Sequence, residues 1–255
     1  MYAIGKTDTG RHRDKNEDSI FVSEERIGPL GNLFIVADGL GGHNGGEVAS
    51  AMAIDFFTRF LREDRDVCGG LLDAMMAALS FANAGIYGHA EASPELFGMG
   101  TTFSACSLSG GRLFIVHIGD SRIYRITKSG IAQLTDDHSY VNEMVKAGRM
   151  TKDEAQVHPQ KNIITKALGL DSVLEADGIV IDIDADADGM LLICSDGLTD
   201  MLPNADILAA ANSGGTLEAR AEAFVSEANR RGGADNISVI LIDISAAKAG
   251  CPHEI

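Results

Sequence analysis

Aspartate stands at the end of one apolar run after another, a placement that could do chemistry. The run 33–37 ends at Asp38-Gly39, 113–118 at Gly119-Asp120, and 190–194 at Ser195-Asp196-Gly197. A fourth copy runs in reverse, with Asp235-Asn236 just ahead of the apolar run 237–242. Short runs rich in Val, Ile and Leu and bounded by Gly read as buried strands. An ionised carboxylate at the lip of such a strand is costly unless something positive meets it. A lone Asp before Gly is commonly a turn former. Four of them, with no matching set of basic residues, are better explained by bound cations.

The donor type narrows the cation. Hard carboxylate oxygens without a His or Cys cluster suit Mg2+ or Mn2+ and argue against zinc. Two such ions about 3.5–4 Å apart can share one bridging carboxylate and activate a water between them. Asp38 suits such a bridge, because Gly39 lets a backbone carbonyl turn in as a further ligand. Arg13 is followed closely by Glu17 and Asp18. A lone Arg near an N-terminus is ordinarily a surface charge, but here a planar guanidinium could match two phosphate oxygens in a bidentate grip.

Composition sets bounds on partners. The 255 residues suit one large domain or two small ones, and at 45% hydrophobic, with no Trp, the core should be largely aliphatic. The net charge of −16 argues against nucleic acid or an anionic membrane as partner, since phosphate binding leans on Lys and Arg. A chain so acidic needs metal ions to handle phosphate at all. Cys68, Cys106, Cys194 and Cys251 show no paired spacing, so neither a disulfide framework nor a zinc knuckle is expected. Residues 1–13 lack the apolar core of a signal peptide, and no stretch approaches the 18 or so apolar residues of a spanning helix. A cytoplasmic protein is expected.

The elements that must carry these residues can be read from periodicity. Strands are expected at 2–9 and 19–23, around a polar turn holding Arg11, Arg13, Asn16, Glu17 and Asp18. The strand ending at Asp38 leads into a glycine-rich loop, 39–46, and an amphipathic helix over 47–62, with a second helix over 71–87. Strands at 101–108, 112–118 and 122–126, joined by short turns, favour an antiparallel sheet. The polar stretch 136–169 reads as an excursion with short helices around Met144 and Glu154, broken at Pro159. Strands at 175–183 and 190–195, helices at 205–211 and 217–230, and a strand at 236–244 complete the chain, with 246–255 a frayed tail. Strands and helices in separate blocks favour one α+β domain over 1–245.

Three decoys fall away. Residues 184–189 match the start of an EF-hand loop, but position twelve would be Ser195 and an apolar strand follows Gly189. His89-Ala90-Glu91 resembles half a deaminase signature with no Pro-Cys-x-x-Cys after it. The glycine-rich loop lacks both the Gly-Lys-Ser/Thr of a P-loop and dinucleotide-fingerprint spacing.

Eight motifs in order resemble the metal-dependent type 2C protein Ser/Thr phosphatases, in particular the compact bacterial members. They are Gly10 with Arg13, Asn16, Glu17 and Asp18; Val36 to His43 in the form VADGLGGH; Gly98-Met99-Gly100-Thr101-Thr102; and His117-Ile118-Gly119-Asp120-Ser121-Arg122. Asp137-His138-Ser139, His158-Pro159 with Asn162, Thr165 and Ala167-Leu168-Gly169, Cys194 to Asp200 and Gly232 to Ile237 follow. The resemblance implies a four-layer α-β-β-α sandwich of two antiparallel sheets, with two core Mn2+ or Mg2+ ions at one end. Asp38 would bridge them with the Gly39 carbonyl alongside, and Asp196 and Asp235 would complete the first site. Glu17 and Asp18 would act mainly through water, and Asp120 with Asp196 would hold a weaker third ion. Arg13 matches the phosphate-binding arginine, and His43 a histidine proposed to aid leaving-group departure. Residues 136–169 match a mobile flap, with Lys166 where many relatives carry Arg. The implied activity is hydrolysis of phosphoserine and phosphothreonine in proteins by attack of a water bridging the two metals. The implied partners are phosphoproteins, among them a Ser/Thr kinase or its substrates, met by a monomer. A catalytically weak interaction module on the same fold is the alternative, and a nucleic-acid phosphodiesterase is disfavoured by charge.

Overall fold

The computed structural model describes residues 2–41, 45–63, 69–183 and 189–244. His43, Cys68, Cys251, the acidic residues of 184–188 and the expected tail 246–255 lie outside these residues. Two antiparallel sheets are built from β1 (Tyr2–Asp8), β2 (Asp18–Ser23), β3 (Leu33–Leu40), β4 (Gly100–Thr101), β5 (Phe103–Ser109), β6 (Arg112–Ile118), β7 (Arg122–Thr127), β8 (Gly130–Gln133), β9 (Asp177–Asp182), β10 (Met190–Cys194) and β11 (Ile237–Asp243). One sheet runs β1-β11-β10-β7-β8 and the other β2-β3-β5-β6-β9, with β4 paired to β3. The helices are α1 (Gly45–Arg62), α2 (Leu71–Ala92), α3 (Tyr140–Lys146), α4 (Lys152–Gln156), α5 (Asp196–Thr199), α6 (Asn204–Ala211) and α7 (Leu217–Arg230).

The apolar runs show no polar alternation because both faces of each sheet are covered. On β3, Leu33, Ile35 and Ala37 point to α1 and α2 and pack with Phe57, Met75 and Leu79. The alternate residues Phe34 and Val36 face the other sheet, meeting Leu191, Ile193, Ile240 and Ile242. On the far side, Leu192, Val239 and Leu241 pack against Phe224, Ala221 and Ile207 of α7 and α6. The period of two therefore sorts side chains between two apolar layers instead of between core and water. The four-layer sandwich is as expected.

Several boundaries differ from the sequence reading, each for a local reason. The expected strand 101–108 is broken at Thr102, whose N–H and hydroxyl both turn to the backbone of Asp38. The strand through Asp38 continues to Leu40, because Gly39 and Leu40 pair with Thr101 and Gly100. Strand β8 and the four-residue helix α5 carried too little periodicity to be read. Helix α2 runs five residues further than expected, to Ala92. By length and composition it could cross a membrane, contrary to the expectation that no stretch came close. Here its Met75, Leu79 and Ile86 are fully buried in the core beneath the sheet.

Candidate active site

The aspartates meet because antiparallel pairing folds their strand ends onto one pole. Asp38 on β3 is directly opposite Asp18 at the start of β2. Cys194, one residue before the Ser195-Asp196 turn, pairs with Arg122 on one side and Val239 on the other. That brings Asp196, the Gly119-Asp120 turn before β7 and Asp235 before β11 to the same rim. Each carboxylate thus hangs from a strand end whose position is set by a ladder of backbone hydrogen bonds.

Local contacts fix them further. The Asp38 N–H donates to Thr102 Oγ1 at 2.9 Å, and its carbonyl accepts from Thr101 Oγ1 at 3.0 Å and the Thr102 N–H at 2.9 Å. Asp18 is buried; its Oδ2 accepts from Ser195 Oγ at 2.9 Å, and Ser195 Oγ itself accepts from the Ser238 N–H at 3.0 Å. Gly39 must be glycine, since a Cβ there would run into the carbonyl of Gly46. The Glu17 carboxylate accepts from the Gly46 N–H at the start of α1, an 18-residue helix whose N-terminal end favours negative charge.

The electrostatics are those of acids that outnumber the two arginines beside them, Arg13 and Arg122. Asp38 and Asp196 both keep partial solvent access, yet burial first, and then the other aspartates, push their pKa values well above the ordinary carboxylate range. Burial raises Asp18 to about 6 despite hydrogen bonds from Ser238 and Ser195. Asp120 rises to about 7, from burial and then Asp137, against the opposing pull of Arg122. Asp18 Oδ1 and Asp120 Oδ1 are buried with no hydrogen-bond partner. A buried oxygen left so is expensive, and a cation is the partner that would satisfy it.

Among the described residues, no three His, Cys, Asp or Glu side chains close into a compact metal cage. The carboxylates share one rim of the sandwich without closing on a single point. That arrangement still fits Mg2+-like ions, which keep several waters and take only one or two carboxylates each. Hard oxygen donors, two orphaned buried oxygens and a close-packed Gly39 all suit such ions.

Arg13 is brought to this rim as expected, its Nη2 donating to Asp235 Oδ2 at 2.8 Å. The bond to Asp235 raises its pKa, with Glu17 and Asp38 adding to the pull. It is half exposed, so that pair is worth at most about 1 kcal/mol. His43 lies outside the described residues.

Other participants carried no assigned role in the sequence reading. Ser195, Thr101 and Thr102 orient aspartates, and each sits within a matched motif, which was the available signal. Arg122 grips Asp137 with Nη2–Oδ2 at 2.6 Å and Nε at 3.0 Å from both oxygens, backing the Asp120 turn. Among the described residues the cysteines, Cys106 and Cys194, are buried free thiols, and burial pushes Cys194 up to about 12.

Comparison with known proteins places this geometry. The family model for protein phosphatase 2C matches residues 10–230. The chain is 38% identical to the serine/threonine phosphatase stp of Listeria innocua, covering 98% of each chain. It is 37% identical to protein phosphatase PhpP of Streptococcus pneumoniae, over 95% of this chain and 97% of that one. The crystal structure of the Staphylococcus aureus serine/threonine phosphatase Stp1 superposes with a TM-score of 0.86 at 34% identity, covering 95% and 94%. The catalytic domain of the phosphatase PstP in complex with two manganese ions gives 0.80 at 34% identity, covering 95% and 97%.

Proposed function

Since the chain belongs to the protein phosphatase 2C family, we propose that the acidic rim is its active site, with Asp38, Gly39, Asp196 and Asp235 holding two divalent ions. The protein is a metal-dependent serine/threonine phosphatase with Mn2+ or Mg2+ as cofactor. The observation that carries the site reading is the convergence on Asp38 of Asp18, Asp196, Asp120 and Asp235, with two of those carboxylates holding unpartnered buried oxygens.

When bound, the ions supply an acidified water and offset the charge of the phosphate. The chain's own residues do the rest. Asp38 lies centrally enough to serve both ions. Asp18 and Glu17 stand on the β2 side, where bound water would extend their reach. Asp120, beside Asp196, suits a weaker third ion. Arg13 orients the phosphate: a guanidinium carries five donors, so the bond to Asp235 leaves others for two phosphate oxygens. His43 is proposed to protonate the departing alkoxide. Residues 136–169 are proposed as the flap that borders the substrate on a single domain spanning 1–245.

The proposed substrates are phosphoproteins, including a Ser/Thr kinase or that kinase's own targets, met by a monomer in the cytoplasm. The net charge of −16 supports protein over nucleic acid. A catalytically weak interaction module would be expected to have lost ligands, and every expected aspartate is present.

Phosphothreonine-peptide hydrolysis with Mn2+ or Mg2+ and with chelator tests the reading; full activity in chelator would sink it. Asp120→Ala should keep the two tight Mn2+ sites in calorimetry but turn over poorly. His43→Ala should slow phosphopeptide hydrolysis far more than p-nitrophenyl phosphate hydrolysis, because general acid help is worth ~10²–10⁴-fold only to a poor leaving group. An equal loss on both substrates would remove His43 from the chemistry.

A further inference from the structure

Arg13 sits in a stretch with no helix or strand of its own: β1 ends at Asp8 and β2 begins at Asp18. Residues 11–15 are exposed. Its single half-exposed ion pair to Asp235 is too weak to order the arginine.

A buried side chain holds this stretch from beneath. The Asn236 amide Nδ2 donates to the carbonyl of Thr9 and to that of Lys15, each at 2.9 Å. Its Oδ1 accepts from the Glu17 N–H at 2.8 Å. One planar amide therefore pins the stretch on both sides of Arg13 and again at the end that leads into β2. No other residue type of this size carries two donors and an acceptor in that arrangement. The backbone is built to come this close: Gly10 has a φ of +80°, and a Cβ there would collide with the Asp235 carbonyl. The Arg11 N–H donates to the Gly233 carbonyl at 2.8 Å, closing the loop onto the turn that presents Asp235 and Asn236.

We propose that Asn236 is a positioning residue for the phosphate grip, holding residues 9–17 so that the Arg13 guanidinium faces the acidic rim. It does not touch the phosphate itself. The inference rests on reading Arg13 as the phosphate-binding residue. The rival role is support of its neighbour Asp235, but that contact is the Asn236 main-chain N–H to Asp235 Oδ1 at 2.8 Å. It survives any side-chain replacement, so the two roles separate.

A double-mutant cycle tests this in the intact Mn2+-loaded enzyme, using Arg13→Ala, Asn236→Ala and the pair. The readouts are KM for a phosphothreonine peptide, competitive inhibition by inorganic phosphate, and Mn2+ affinity by calorimetry. Each single change is expected to raise KM and the phosphate inhibition constant about ten-fold or more. The double variant should be no worse than Arg13→Ala, with Mn2+ affinity altered less than about three-fold. Additive losses, or a fall in Mn2+ affinity as large as the fall in activity, would overturn the role of Asn236 while leaving Arg13 in place. An Arg13→Ala protein with unchanged KM and phosphate inhibition would overturn the reading of Arg13 and this inference with it. If Asn236→Ala does not fold, the near-isosteric Asn236→Asp carries the same cycle, since it keeps the Glu17 bond and loses both donations to Thr9 and Lys15.

Discussion

The acidic floor of the site hangs from the ends of strands in two hydrogen-bonded sheets, whereas the segment 136–169 has only the short helices α3 and α4 and is tied down by isolated backbone bridges and by side chains. Arg122 clasps Asp137 where the segment leaves β8, and Asn142 of α3 donates to the Asp137 carbonyl at 2.7 Å. His138 lies against the Asp120 turn, taking the Gly119 N–H on its Nδ1 at 3.1 Å and giving its own N–H to the Gly119 carbonyl at 2.7 Å. Farther out the ties become solvent-exposed, as with Lys161 to Asp200 at 2.7 Å and Lys166 to Glu175 at 2.9 Å. Carboxylates proposed to hold metals need placement to tenths of an ångström, and these sit on rigid elements. As the proposed substrate border, the segment would gain from low local stability when it meets different protein surfaces. Its exposed Val157 and Ile163 suit that use.

The sharpest way to break the floor is Asp38→Asn or Asp196→Asn. Either should lower kcat on a phosphothreonine peptide at least ~10³-fold with saturating Mn2+, equivalent to about 4 kcal/mol of barrier. The same substitutions relieve charge repulsion, so the chelated proteins should melt at higher temperature than the chelated parent. Activity within tenfold of the parent would remove these residues from the metal set.

The junction between the two regions is the stacked pair His117 and His138, ring centroids 5.1 Å apart. Burial first, and then His138, lowers the pKa of His117 to about 4. A folded-state pKa below the unfolded value of ~6.5 means that stability is fully present above about pH 6.5. It drains away as pH falls toward 4, by an amount on the order of 3 kcal/mol. Thermal melts of a His117→Gln variant across that window should show a shallower acid slope than the parent. An unchanged slope would mean that His117 is already charged when folded.

Arg13 belongs to neither region, and its loss should be smaller. Arg13→Ala should raise KM about 10- to 100-fold while lowering kcat less, since a charge-assisted contact is worth ~1.5–3 kcal/mol. Arg13→Lys should recover only part, lacking the fork. A collapse of kcat at constant KM would show a contact formed only in the transition state. The smallest effect is expected at the outer border. Lys161→Ala should change stability by less than about 1 kcal/mol and KM by less than about three-fold, with faster amide exchange confined to residues 152–163. A large fall in kcat there would erase the distinction between floor and border.

Much of the floor was readable in residue order. Asp38, Asp120, Asp196 and Asp235 betrayed themselves as charges at the ends of apolar runs, and Gly39 by following one of them. The same runs pointed to one α+β domain with antiparallel strands, whereas the four-layer sandwich was implied only by the resemblance to type 2C phosphatases. Strand β8 and helix α5 were too short for periodicity to speak, and the break at Thr102 depends on a partner 64 positions away at Asp38. Asn236 was visible as a motif member, yet its bonds to Thr9 and Lys15 span 227 and 221 positions.

Composition, apolar period and strand-end charge are local properties of the chain, and they determined the α+β class, the acids at strand ends and the kind of ion such acids suit. Which carbonyl a buried amide meets and which serine turns toward Asp18 depend on surfaces brought together from opposite ends of the chain. Only the tertiary structure decided those, because a hydrogen bond is specified to a fraction of an ångström and no sequence spacing carries distance between elements packed across a sheet.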